Sequence, residues 1–168
     1  MILASLGKLS VAQSLTDADE ISENVIEIAA VDFSAMTDLW WVVQTNVVAA
    51  AGTTFKFELV LDTTAGLSGT QRQVCCVEIA AITDKRVATV GRFIAAFNLG
   101  KQMMQFLEED GSDYQFIGME NTINTSGTIT IDAWLSFTEP HTLQHRMQVV
   151  SNIDNSIDVA SDDSGTRI

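Results

Sequence analysis

The only two histidines, His141 and His145, stand four apart, the spacing that sets two imidazoles on one helix face as metal ligands. No glutamate follows the first and no third ligand is suggested, so they read as two polar residues of a tail. Glu108, Glu109, Asp110 and Asp113 surround Gly111. A calcium loop uses such carboxylates, but at spaced positions that this stretch lacks. Its Asp-Gly character makes it a hairpin turn instead, with at most a weak surface calcium site. Ser10 and Ser14 have no Gly-x-Ser-x-Gly context for a nucleophile. Gly66, Gly69, Gly91 and Gly100 form no phosphate-binding loop ahead of a helix. The vicinal pair Cys75 and Cys76 has neither Cys-x-x-Cys nor Cys/His zinc spacing. A disulfide between strand neighbours would be strained, so two reduced thiols filling small positions are expected. No residue is assigned to catalysis, to a cofactor or to a metal.

Two further groups depend on how strands present them. Glu27, Glu58 and Glu78 could pair as carboxylates, yet each alternates with apolar residues, which makes them the outward positions of strands. Trp40, Trp41 and Trp134 could form a sugar-binding platform. Adjacent Trp40 and Trp41 point to opposite faces of a strand, so one belongs to the core and the other to an outer surface. An exposed tryptophan is a usual interface anchor, and an interface is preferred here over carbohydrate.

The elements that position these residues read as strands. Residues 39–48 are aromatic and β-branched, and Ala49, Ala50, Ala51 and Gly52 break the run. Residues 53–62 then alternate strictly, with Phe55, Phe57, Leu59 and Leu61 on one face. Further strands are expected over 24–31, 72–82, 91–99, 102–107, 114–120 and 128–138. In the run 72–82, Cys75, Val77 and Ile79 mark the inner face, with Val74, Cys76 and Glu78 on the other. In the run 114–120, Gly118 suggests a bulge or a close backbone approach. In the last run, Ile129, Ile131, Ala133, Leu135 and Phe137 face one way, and Trp134 the other. Residues 63–71 read as an exposed loop and 83–90 as a charged turn. No internal helix is expected; a short helix near 11–15 is weakly indicated. Many short strands separated by turns point to a sandwich or barrel.

The chain of 168 residues suits one domain with a substantial core. It carries 22 acidic against 9 basic residues, a formal net charge of −13. Such a surface repels phosphate backbones, which argues against nucleic acid. It fits a basic partner, or a solvated acidic surface of the kind seen in saline settings. The first fifteen residues, MILASLGKLSVAQSL, lack a basic n-region and a long apolar core, so no signal peptide is read there. No apolar run approaches membrane-spanning length, so no membrane partner is expected.

The order of motifs resembles a known family. The chain opens Met-Ile and continues LSVAQSLTDADEISENVIEIAAV, with Ser22-x-Asn-Val-Ile leading into a strand. LWWVVQTNVVAAAGTTFKFELVLDT follows, with its Val-Val-Gln strand, Ala-Ala-Gly turn and Phe-Glu-Leu core, and GRFIAAFNLGKQMMQFL comes later. Over roughly residues 1–137 this is similar to the jelly-roll cement, or decoration, proteins of short-tailed bacteriophage capsids. Two features depart from that pattern: the tail after Thr138 is longer than the family needs, and the basic turn is reduced to Lys101, followed by Met103 and Met104.

The resemblance implies an all-β, jelly-roll-like β-sandwich of about eight strands with N- and C-terminal arms. Residues 1–23 form the N-terminal arm, 24–138 the sandwich and 139–168 a tail or second arm. It also implies a non-enzymatic function. The chain would sit on the outer face of the virion shell after assembly in the host cytoplasm, bridge neighbouring major capsid subunits, and act as a homo-oligomer, dimer or trimer. The expected contacts are Ile2, Leu3, Leu6 and Leu9 of the arm, the outward member of the Trp40/Trp41 pair, and Met147 and Val149 of the tail. A carbohydrate-binding sandwich in a host-recognition component is the alternative. A cupin-like metalloenzyme ranks last, since both histidines lie in the tail.

Overall fold

The structure is a computed structural model that describes residues 7–16, 20–30, 38–52, 54–110, 114–124 and 126–140. The strict alternation in the centre of the chain forms β5 (Thr54–Asp62), whose Phe55, Phe57, Leu59 and Leu61 are all fully buried. Each such side chain contributes about 1.5–3 kcal/mol by leaving water. The preceding run is β4 (Trp40–Ala51). Its alanines continue the strand instead of ending it, and the chain turns at Gly52, whose φ of 107° favours a residue without Cβ.

The remaining strands are β1 (Lys8–Leu15), β2 (Glu20–Ile21), β3 (Ile26–Glu27), β6 (Gln71–Ile79), β7 (Phe93–Asn98), β8 (Phe116–Asn124) and β9 (Thr128–Ser136). Two antiparallel sheets result. One has the order β1-β9-β4-β7; the other has β2-β8-β5-β6, with β3 also pairing β8. The apolar sides of both contribute to a single core: Trp41 and Val43 from β4, the buried face of β5, Val77 and Ile79 from β6, and Ile129, Ile131 and Ala133 from β9. The protein is therefore an all-β sandwich.

Several expectations need correction. The N-terminal stretch is not wholly an arm. β1 pairs β9 from Lys8↔Trp134 to Leu15↔Ile129, and Leu9 and Leu15 are fully buried, so Leu9 belongs to the core and is not an outward contact. Two register shifts and a left-handed Ala12 (φ 50°) break its alternation, which is why the sequence shows no clean period of two. They turn Ser10 and Gln13 inward. Ser10 Oγ donates to Gln13 Oε1, and Gln13 Nε2 donates to the Ile21 carbonyl at 2.7 Å. The strand expected over 24–31 is only β3, followed by a 3-10 turn at Ile28–Ala30; Val31 lies outside the described residues. Ser22 separates β2 from β3 while staying on β8: its N donates to the Met119 carbonyl at 2.9 Å, and its Oγ accepts from Met119 N at 3.0 Å.

The strand expected over 102–107 is a helix. We number the two α-helices α1 (Lys85–Ala88) and α2 (Gly100–Asp110). Asn98 Oδ1 accepts from Gly100 N at 3.1 Å at the start of α2. Met103 and Phe106, three apart, both reach the core. Gln102 Nε2 donates to the Val74 carbonyl at 3.2 Å, and the Arg72 guanidinium lies 4.2 Å from the Phe106 ring centre. Thus α2 packs Met103 and Phe106 on the core and is tied to β6, the last strand of its sheet, at Val74 and Arg72. The run Glu108–Asp110 closes this helix and is not a hairpin turn; 111–113 lie outside the described residues.

Two smaller corrections concern β6 and its loop. A register shift against β5 adds one residue at Val74 and turns it into the core, although simple alternation placed it outward. The loop over 63–70 is not simply exposed. Asp62, fully buried, accepts from Thr64 N at 2.6 Å and from Gly69 N at 3.2 Å, and Leu67 is buried. Gly118 faces Leu67: a Cβ there would stand 2.7 Å from Leu67 Cδ1 and 3.2 Å from Val25 Cγ2. It marks a close approach, not a bulge, since its pairing with Val60 lies in unbroken register.

Candidate interaction surfaces

The outer face of the four-stranded sheet is set by β4. Trp41, Val43 and Thr45 point inward and are buried; Trp41 packs beside Phe97, with ring centres 6.2 Å apart. The alternate residues Trp40, Val42 and Gln44 therefore face outward. Trp40 is the outward member of the tryptophan pair, and it is half-buried. In register, Trp40 stands opposite Asn98 of β7 and Ser136 of β9, Val42 opposite Ala96 and Trp134, and Gln44 opposite Phe93 and Asp132. Val42 is 0% exposed although it lies on the outer face, so the larger side chains beside it close over it.

A groove of about 590 Å³ runs over this face, lined by Gln44, Phe93, Trp134, Ser136, Thr138, Glu139 and Pro140. Its parts are held before any ligand arrives. Gln44 Nε2 donates to the Gly91 carbonyl at 2.8 Å, and Ser136 Oγ donates to the Thr138 carbonyl at 2.8 Å while accepting from Thr138 N at 3.2 Å. Of these, sequence reasoning offered only Trp134 as a candidate binding residue, with Ser136 set on the same outward face of its strand. The available signal was the period of two from Trp40 to Gln44 in β4 and from Trp134 to Ser136 in β9. The β7 partner Phe93 has no local signal, since only the register joins it to Gln44.

A second surface lies at the far end of β4. Val47 and Val48 are exposed, and so is Val90 at 56%. Gly91 N donates to the Thr45 carbonyl at 2.8 Å, which brings Val90 beside the stretch of β4 that follows Thr45. Exposed aliphatic side chains gathered at one end of a sheet are candidate contact points.

The outer face of the other sheet is charged. Glu58 faces Glu120 and Cys76 across β5, and Lys56 faces Glu78. Lys56 pairs with Glu58 at 2.8 Å, and that hydrogen bond raises the lysine pKa. Glu27, Glu58 and Glu78 lie on strands at half-buried or exposed positions. Both cysteines are free thiols. Burial pushes the pKa of Cys75 up; burial and then the Glu58 carboxylate push up that of Cys76. Neither is the low-pKa thiolate that nucleophilic catalysis uses. Ser10 is buried on Gln13, and Ser14 is exposed on β1. Among the described residues no cluster of three or more His, Cys, Asp or Glu could hold a metal ion, and no helix is long and apolar enough to cross a membrane. Ile2, Leu3, Leu6, His141, His145, Met147 and Val149 lie outside the described residues. No family model matches the chain, and no curated protein matches it.

Proposed function

We propose that this chain is a capsid decoration protein on a jelly-roll scaffold, a non-enzymatic cement that bridges major capsid subunits on the outer face of a bacteriophage head. The observation that carries the reading is the nesting of the strand pairs. With β2 and β3 taken as one interrupted strand, there are eight. The first pairs with the eighth (β1 with β9), the second with the seventh (β2/β3 with β8), the third with the sixth (β4 with β7) and the fourth with the fifth (β5 with β6). That is the order of one antiparallel ribbon rolled into two sheets, the jelly roll. It supports the fold that the sequence resemblance implies, and α2 sits where the resemblance placed a strand.

Fold alone does not assign function; the contact surface adds to it. Val47 and Val48 on β4 and Val90 in the turn before β7 offer exposed aliphatic side chains, and Trp40 an aromatic anchor. Many copies on one shell turn weak single contacts into firm attachment. The net charge of −13 fits a basic patch on the shell and an exterior position away from packaged DNA.

The test is co-sedimentation of the purified chain with empty shells of the major capsid protein encoded alongside it. Saturable binding at a fixed number of copies per subunit, with shells that then survive heating better, is the expected result. Val47→Asp should weaken that binding by roughly tenfold, about 1.4 kcal/mol, by placing a charge in an apolar contact. A chain that stays in the supernatant at every concentration overturns the reading.

A further inference from the structure

We infer that the groove on the outer face of the four-stranded sheet is a binding site for a neutral saccharide. The inference stands apart from the aliphatic part of the shell contact, Val47, Val48 and Val90; the aromatic part, Trp40, stands opposite Ser136 at the side of the groove. It rests on three properties of one place. First, the groove combines aromatic rings with polar groups. Trp134 and Phe93 supply flat apolar faces; Gln44, Ser136, Thr138 and Glu139 supply an amide, two hydroxyls and a carboxylate. A pyranose is amphipathic in the same way: its C–H face packs on a ring while its hydroxyls need donors and acceptors around the rim. Its volume of about 590 Å³ lies within the range of small-molecule sites.

Second, the polar groups are positioned. The bond from Gln44 Nε2 to the Gly91 carbonyl holds that amide and leaves Oε1 as the acceptor for a ligand hydroxyl. The paired bonds between Ser136 and Thr138 fix the wall of the groove. Both stand on strands or directly after one, which keeps the rim rigid. The same packing that hides Val42 holds Trp134 over the sheet, since the two stand opposite each other.

Third, the charge is one-sided. No cation lines the groove; Glu139 lines it, and Asp132 stands opposite Gln44 on the same outer face. The nearest basic residue in register, Lys8, lies on β1, across Trp134 from Val42. A groove lined by a carboxylate and by no cation, with Lys8 only beyond Trp134, disfavours phosphates and acidic sugars and accepts neutral hexoses or N-acetylhexosamines.

The experiment uses the full chain, labelled so that its three indole N–H signals are resolved, titrated with maltotriose, mannotriose and tri-N-acetylchitotriose, with sialyllactose as the anionic probe. At least one neutral probe should give a saturable shift of the Trp134 indole, while the buried Trp41 indole stays in place. Trp134→Ala, which removes that reporter, should abolish the heat of binding that the same probe gives with the unaltered chain in calorimetric titration. Ser136→Ala and Glu139→Gln, milder changes at the rim, should each weaken binding by roughly three- to tenfold with the thermal melt unchanged. Co-sedimentation of the Glu139→Gln chain with shells should be undiminished, which separates the groove from the shell contact. The inference is overturned if no neutral probe gives a saturable shift, if sialyllactose binds as well as the neutral probes, or if the rim variants lose shell binding and leave the sugar response intact.

Discussion

Asp84 shows how a single side chain organises a connection. It is the N-cap of the four-residue helix α1, accepting from Arg86 N at 2.8 Å and pairing with the Arg86 guanidinium at 2.7 Å. The Arg86 hydrogen bond holds the Asp84 carboxyl below the usual carboxylate range. A carboxyl lowered by folding stabilises the native state above its unfolded pKa, and that contribution is lost as pH falls through the lowered folded value. Asp84→Ala should therefore cost about 1 kcal/mol at neutral pH, the ordinary loss of a cap. Asp84→Asn, which retains a capping oxygen, should cost less and should lack the acid-side dependence. Urea unfolding at neutral and acid pH measures both. At this scale the Trp40/Trp41 pair was half legible. Period two says that the two part company, but only the burial of Trp41 beside Phe97 shows which is inward.

At the scale of elements, β1 and the loop over 63–70 carry the clearest tests. Leu9 is fully buried on a strand that sequence reasoning assigned to an arm. Leu9→Ala should destabilise the sandwich by about 2–5 kcal/mol, the usual cost of truncating a core leucine, whereas a residue of a mobile arm would give a negligible change. The loop is held from both sides, by the Asp62 carboxylate and by Leu67 on Gly118. Gly118→Ala should cost roughly 1–3 kcal/mol through overpacking. Adding Leu67→Ala should make the pair less harmful than the sum of the two, because the added methyl then has room. Additive losses in chemical denaturation would contradict that contact. The helix α2 was missed because QMMQFL has too few residues to display a period. That Met103 and Phe106, three apart, both pack on the core is what a helix allows and a strand does not, and only the tertiary structure shows it.

The whole molecule is governed by its charge. With 22 acids against 9 bases, the folded chain repels itself, and close pairs such as Lys56 with Glu58 and Arg86 with Asp84 leave a large excess of negative charge. Raising sodium chloride from low concentration to about 0.15 M, where the screening length falls to about 8 Å, should raise the melting temperature. A flat or falling melting temperature over that range would mean that close pairing, not general repulsion, sets the balance.

What the sequence determined by itself is the set of buried faces. Strict alternation over residues 53–62 and 128–138 marks one side of each strand as apolar, which points to a sandwich or barrel; the pairing of the strands into two sheets decides between them. What only the tertiary structure decided is every place where the period is broken for a non-local reason. The extra residue at Val74 answers to the register with β5, and the break at Ser22 answers to Met119 of β8. The burial of Leu67 answers to a glycine 51 positions away, by their numbers, and the groove on the outer sheet exists because β7 and β9 flank β4. A partner strand's identity is not encoded in the strand it pairs with, and these features are properties of the pairing.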